Sequence, residues 1–215
     1  LLRDLWFNGQ AMPFMPELLR ATRTFRVALI ASFPLLAPPP LFAAGQTQAT
    51  DPETGIESWE YRGQGVSLRL AQLLPDQVRG FYLARGFDAG SVEVLATGAC
   101  VFQTVLRNES ARGAIEFSLA DWRSVSAESE RPLKLETDWQ KDWEKRGVPQ
   151  AARTAFRYAL YPTQLRYEVG DWNMGMTTYI LPLGSRFDLR FAWREGDQRR
   201  EALLSGVRCA TEASP

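Results

Sequence analysis

The sequence predicts a mainly β, α+β domain: an antiparallel β-sandwich with a short early helix and a two-helix insertion. Three observations carry that prediction. Apolar and polar residues alternate in several short runs, the period-two signature of half-buried strands. Turn residues punctuate those runs, with no strand–helix–strand repeat. Helical periodicity is confined to a brief stretch after Pro75 and to residues 137–161.

Val66, Leu68 and Leu70 alternate as the first strand. Pro75-Asp76 then opens a helix, with Val78, Phe81 and Tyr82 at helical spacing and Gly86 as its stop. Cys100, Phe102, Thr104 and Leu106 share one face of a clear strand, and Val101, Gln103 and Val105 share the other. Asn108-Glu109-Ser110 and Gly113 supply a turn, and Ile115, Phe117 and Leu119 return towards Asp121-Trp122. This pattern predicts an antiparallel hairpin. Asn108-Glu109-Ser110 also fits the glycosylation sequon, but a turn explains it without a modification.

Thr137 with Gln140 has the form of a capping box, and Trp139 and Trp143 follow on one helical face. Gly147 ends that helix, and Pro149 starts another, with Ala152, Ala155, Phe156 and Ala159 or Leu160 as its buried stripe. Tyr161-Pro162 stops it. Strands then run through Leu165 and Tyr167, through Met176, Thr178 and Ile180, through Phe187, Leu189, Phe191 and Trp193, and from Leu203 to Cys209. Asn108 after an alternating strand, Phe117 and Asp121 beyond it, and the Pro182–Gly184 turn before a long apolar strand together resemble immunoglobulin-like accessory domains of bacterial envelopes. The resemblance implies an immunoglobulin-like sandwich and assigns no function.

The start of the chain has the layout of a secretory signal peptide. Arg20, Arg23 and Arg26 form a basic region, Val27 to Leu36 is apolar, and Ala43, Ala44 and Gly45 supply small residues for cleavage after Gly45. Pro34 and the Pro38-Pro39-Pro40 run oppose the alternative, a retained membrane-spanning helix. The expected division is therefore upstream residues and leader at 1–45, a flexible polar segment at 46–58, one β-rich domain at 59–210 and a tail at 211–215. No membrane span is expected once the leader is removed, and the protein is expected to be secreted or periplasmic. In an oxidising compartment the two cysteines, Cys100 and Cys209, are expected to pair.

Composition excludes several chemistries. With 25 basic and 25 acidic residues the formal charge is zero, so bulk cationic attraction to nucleic acid is not expected. The chain has no histidine, which removes Ser-His-Asp and Cys-His catalysis and histidine-ligated metal sites. No phosphate-binding loop, dinucleotide glycine fingerprint or G-x-S-x-G elbow occurs.

Three constellations remain. Met174 and Met176 lie two apart beside Trp172, and soft thioethers with a shielding indole suit Cu(I); alternatively they fill space around Gly175. Trp139, Trp143 and Trp172 are candidate ligand-binding residues, since exposed indoles stack on sugars or anchor protein partners; packing on the core is the alternative for the helical pair. Asp138, Asp142 and Glu144, with Asp121 and Asp171, are carboxylates from which a glycosidase pair could be drawn, or a solvated face. The expectation is an exported, non-enzymatic envelope protein that binds a protein partner or ligand, or supports an assembly. A carbohydrate-binding or glycoside-hydrolysing domain is the second reading, and Cu(I) handling through Met174 and Met176 the third. No catalytic residue is assigned.

Overall fold

The computed structural model describes residues 45–127 and 129–212; of the expected leader, only Gly45 falls among them. In chain order the strands and helices are β1 (Gly45–Thr50), β2 (Glu57–Gly63), β3 (Val66–Gln72), α1 (Pro75–Leu83), α2 (Ala89–Ala96), β4 (Cys100–Asn108), β5 (Ile115–Ser118), β6 (Arg123–Val125), β7 (Glu130–Pro132), α3 (Glu136–Lys145), α4 (Gln150–Ala159), β8 (Gln164–Tyr167), β9 (Trp172–Tyr179), β10 (Arg186–Glu195) and β11 (Gln198–Arg208). They build the mainly β sandwich that the alternating runs predict. One sheet has the order β1-β2-β3-β4-β9, antiparallel throughout. In the other, β5 and β6 follow one another along one side of β10, β11 lies along its other side, and β8 and β7 flank β5 and β6.

The strand faces sort as the pleat dictates. Trp59, Leu68, Leu70, Phe102 and Leu106 of the first sheet meet Ile115, Leu189, Phe191, Trp193 and Leu204 of the second in one buried cluster. Two tight hairpins fix the register. Gln64 and Gly65 both have positive φ, the geometry of a type I′ turn between β2 and β3. Gly196 opens the two-residue turn between β10 and β11 with φ +59°.

Two ties join the sheets on one side of the sandwich. Cys100 at the start of β4 is bonded to Cys209 just past β11, with Cα atoms 5.2 Å apart. Next to it, Arg208 Nε donates to the largely buried Glu57 carboxylate at 2.8 Å, and Gln72 Nε2 donates to the Arg208 carbonyl at 2.8 Å.

Four sequence expectations change. The polar segment expected to be flexible forms β1, which pairs with β2 from Gly45↔Arg62 to Thr50↔Glu57. All six of its residues are exposed, so it carries no alternation to betray a strand. β4 and β5 do not form a hairpin: the chain crosses from one sheet to the other at residues 109–114. Asn108 sets that crossing. It is fully buried; its Nδ2 donates to Gly113 and Tyr167 carbonyls at 3.0 and 3.3 Å, and its Oδ1 accepts from Ala111 N at 3.1 Å. The α2 helix, capped by Asp88 on Ser91 N at 2.9 Å, has no counterpart in the sequence reading. Finally, α3 starts at Glu136, so Thr137 lies inside its first turn and caps nothing. Gln140 instead donates to the Arg153 carbonyl at 3.1 Å and ties α3 to α4.

Candidate functional site

The helices form a second, smaller core on the outer face of the first sheet. Val101 projects from β4 into a cluster with Val78, Tyr82, Phe87, Val92, Trp139, Trp143 and Phe156. The cover is partial. It reaches Thr178, which accepts a hydrogen bond from Trp139 Nε1 at 2.8 Å, but Met174 and Trp172 further along β9 stay half exposed.

Trp139 and Trp143 are 1% and 0% exposed, with rings stacked 4.9 Å apart. Phe87 and Phe156 pack edge-on against Trp143, and the Lys134 ammonium stands 3.8 Å from the Trp139 centroid. A stacking platform must present a ring face to solvent, and these two rings present none. Of the three candidate tryptophans only Trp172 is on the surface, with the Arg107 guanidinium 5.4 Å from its ring.

The methionine pair is divided between two environments. Met176 packs against the helical core, and its sulfur accepts the Tyr82 hydroxyl at 3.3 Å. Burial pushes the Tyr82 phenol upward, which keeps that donor protonated. Met174 is 50% exposed and lines a surface groove. No group of three His, Cys, Asp or Glu residues placed to hold a metal occurs among the described residues. Gly175 between the methionines marks a close approach: the chain leaving α4 crosses β9 there, and Tyr161 N donates to the Met176 carbonyl at 2.8 Å.

The candidate carboxylates are each engaged singly. Asp142 pairs with Lys134, which holds its carboxyl below the usual range. Glu144 meets Arg153 at 3.4 Å, Asp138 meets Lys141 at 3.7 Å and Asp121 meets Arg199 at 3.6 Å. Asp171 accepts from Glu168 N at 2.9 Å. Glu116 and Asp121 both line a hollow of about 230 Å³ on the second sheet, but Glu116 is itself paired with Arg166. A glycosidase pair needs two carboxyl groups free to face a sugar across a cleft, and here Glu116 is taken up by Arg166 and Asp121 by Arg199.

What the fold does assemble is a groove that runs along α4 to β9. Its polar end, about 250 Å³, lies between α3 and α4. Gln150, Arg153, Thr154 and Arg157 stand there at helical spacing, facing Glu136 and Gln140. Its apolar end, about 310 Å³, is lined by Tyr158, Leu160, Pro162 and Met174. Glu136 and Arg157 border both ends. Tyr158 is 78% exposed. Of the exposed large hydrophobics among the described residues, Tyr158 and Met174 line this end of the groove. A larger hollow of about 590 Å³ lies around Gly45 and the Gln64-Gly65 turn. Its Arg62 is already shared by Glu60 and Glu109 at 2.7 and 2.6 Å, and its wall ends at the first described residue.

No family model, curated protein or solved structure matches the chain. Of the groove residues only Met174 belonged to the sequence-derived set. The polar repeat Gln150, Arg153, Thr154, Arg157 was visible on α4, but such a repeat equally describes a solvated helix face. Only the position of α3 and β9 turns it into one wall of a groove.

Proposed function

We propose that this protein is an exported, non-enzymatic binding module of the cell envelope that docks a partner protein in the groove between α4 and β9. The exposed side chains of Tyr158 and Met174, which line one groove, carry the reading. Exposed aromatic and methionine side chains around a shallow cleft are the composition of interface hot spots rather than of ordinary surface. Export is supported by the leader-like segment before Gly45 and by the Cys100–Cys209 bond, which suits an oxidising compartment. No helix among the described residues is long and apolar enough to cross a membrane.

A photo-crosslinking residue placed at Tyr158, at Met174 and at Leu203 in the full chain tests the docking surface. Leu203 is a control, 44% exposed on the other sheet. The expected outcome is one discrete adduct from the first two positions and none from the third. Equal adducts from all three positions, or none, would reject the groove as a docking surface. N-terminal sequencing of the secreted form tests export, with a start at Gln46 expected.

A further inference from the structure

We infer that the outer edge of β1 pairs antiparallel with β1 of a second copy of this chain, in a two-fold register centred on Gln48. The groove takes no part in this pairing, so the pairing stands or falls apart from the docking reading. Three features of β1 carry it.

The first is an open row of backbone groups. Gly63 and Val66 close the two-residue turn between β2 and β3, so they form a hydrogen-bonded pair. Bonded pairs alternate along an antiparallel ladder, so Tyr61 and Trp59 also bond to β3, while Arg62, Glu60 and Ser58 bond to β1. Their partners Gly45, Thr47 and Ala49 therefore turn their backbone groups towards β2. The bond from Asp51 N to the Ile56 carbonyl, 2.9 Å, continues that row. The N–H and C=O groups of Gln46, Gln48 and Thr50 point the other way, and among the described residues no strand lies beyond β1 to meet them. All six residues of the strand are exposed.

The second is the lack of any device that blunts this edge. Charges, proline, bulges and a covering chain are the usual ones. The other sheet edges have them. β7 carries Arg131 and Pro132, β8 carries Arg166, and β11 carries Arg199 and Arg200. The edge of β9 is crossed by the chain leaving α4, which bonds to Met176. β1 has neither charge nor proline, and it pairs with β2 without a register shift.

The third is self-complementarity, which names the occupant. A two-fold axis normal to the sheet at Gln48 sets Gln48 against its own copy and each Gln46 against the other chain's Thr50. These are bonded pairs, each exchanging two hydrogen bonds, so every outward donor and acceptor of both strands is used. Moving the centre to Thr47 or to Ala49 leaves Thr50 or Gln46 without a partner inside β1. At the axis the two Gln48 side chains share one face, where each amide offers a donor and an acceptor to the other. No charge meets a like charge along the strand pair.

Sedimentation velocity of the full mature chain over a dilution series tests the inference. One strand pair buries less than a standard interface, so a monomer–dimer equilibrium is expected, with dimer present at about 100 μM protein. Gln48→Pro removes an N–H that β2 does not use, and Gln48→Lys sets two like charges at the axis. Each should weaken the dimer about tenfold or more with unchanged far-UV circular dichroism. Gln48 is exposed, so the lysine variant keeps the fold even if proline disturbs β1. On mild oxidation Gln48→Cys should form an intermolecular disulfide far faster than Thr47→Cys, since only position 48 meets its own copy. A chain that stays monomeric throughout the series overturns the inference. So does a dimer that Gln48→Lys leaves intact, or equal disulfide formation by the two cysteine variants.

Discussion

Gly175 and Tyr161 meet backbone to backbone. A Cβ on Gly175 would lie 2.6 Å from both N and Cα of Tyr161 and 2.8 Å from the Leu160 carbonyl carbon. That approach lets the chain leave α4, bond to the Met176 carbonyl and turn into β8. It therefore sets where the groove ends. Gly175→Ala must push the Tyr161 backbone away, and overpacking of this kind costs about 1–3 kcal/mol. Urea unfolding should show the loss. Gly113→Ala is the control, with nothing within 4 Å of its Cβ and no positive φ, and should be neutral or slightly stabilising. Equal midpoints for the two variants would refute the close contact.

Asn108 holds the crossing between the sheets by hydrogen bonds to Ala111, Gly113 and Tyr167. Asn108→Ala strands the buried Ala111 N–H and Tyr167 carbonyl and removes the donor to the part-buried Gly113 carbonyl, and should cost about 2–4 kcal/mol. Asn108→Asp should be no better, because a carboxylate would face the Gly113 and Tyr167 carbonyl oxygens. With its amide enclosed, Asn108 should also stay unmodified in the folded protein. Intact-mass measurement after secretion from a glycosylating host checks this, and a glycan at Asn108 would contradict it.

The contrast between these residues explains how much of the molecule was legible in the sequence. Alternation placed β4 and β10 because each buries one face in the main core. On β9 the alternating Met176 and Thr178 instead meet the helical core, and on β11 Leu203 points outward while Leu204 and Val207 are buried. Alternation could not say that β4 and β5 belong to different sheets, since an inward face looks the same in either. β1 was invisible because it buries no side chain and is held by ladder bonds and by Gln46, which exchanges two hydrogen bonds with Ser205 at 2.6 and 2.7 Å. The tryptophan pair was legible as a shared face but not as buried. Its cover comes from Phe87, distant in sequence between α1 and α2, and from Phe156 of α4. The groove was the least legible part, because it depends on the relative placement of α3, α4 and β9.

The Cys100–Cys209 bond closes a loop with a sequence separation of 109. On the chain-entropy account a loop of that size is worth about 4–5 kcal/mol, an upper figure. The Cys100→Ala/Cys209→Ala double variant should unfold at clearly lower denaturant, and reduction of the native protein should lower its midpoint to a similar degree. An unchanged midpoint in both would show that the bond does not restrain the unfolded chain.

Glu57 and Arg208 hold the neighbouring tie. The Glu57 side chain is 11% exposed and that of Arg208 is 41% exposed, so solvent screens one partner. Glu57→Ala removes the acceptor of both Arg208 and Gln72 and should cost about 1–3 kcal/mol. Glu57→Gln keeps an acceptor oxygen and should cost less. Thermal unfolding of the two variants side by side measures the difference, and the reverse order would argue against an ionic tie.

Alkaline pH should unfold the domain through its buried phenols. Burial pushes Tyr82, Tyr161 and Tyr179 above the ordinary value of 10.0, and Tyr167 up to about 12. Tyr161 and Tyr167 also share a hydrogen bond of 2.7 Å between their hydroxyls. A raised folded value means that the unfolded chain releases the proton first. The stability from these four groups is therefore complete below pH 10.0 and drains away as the pH rises through their folded values. Phenolate absorbance followed together with far-UV circular dichroism reads this directly. The four should ionise in one cooperative step that coincides with loss of the fold. Smooth ionisation of all tyrosines at constant dichroism would mean that these rings are open to solvent, contrary to their packing between the sheets and under the helices.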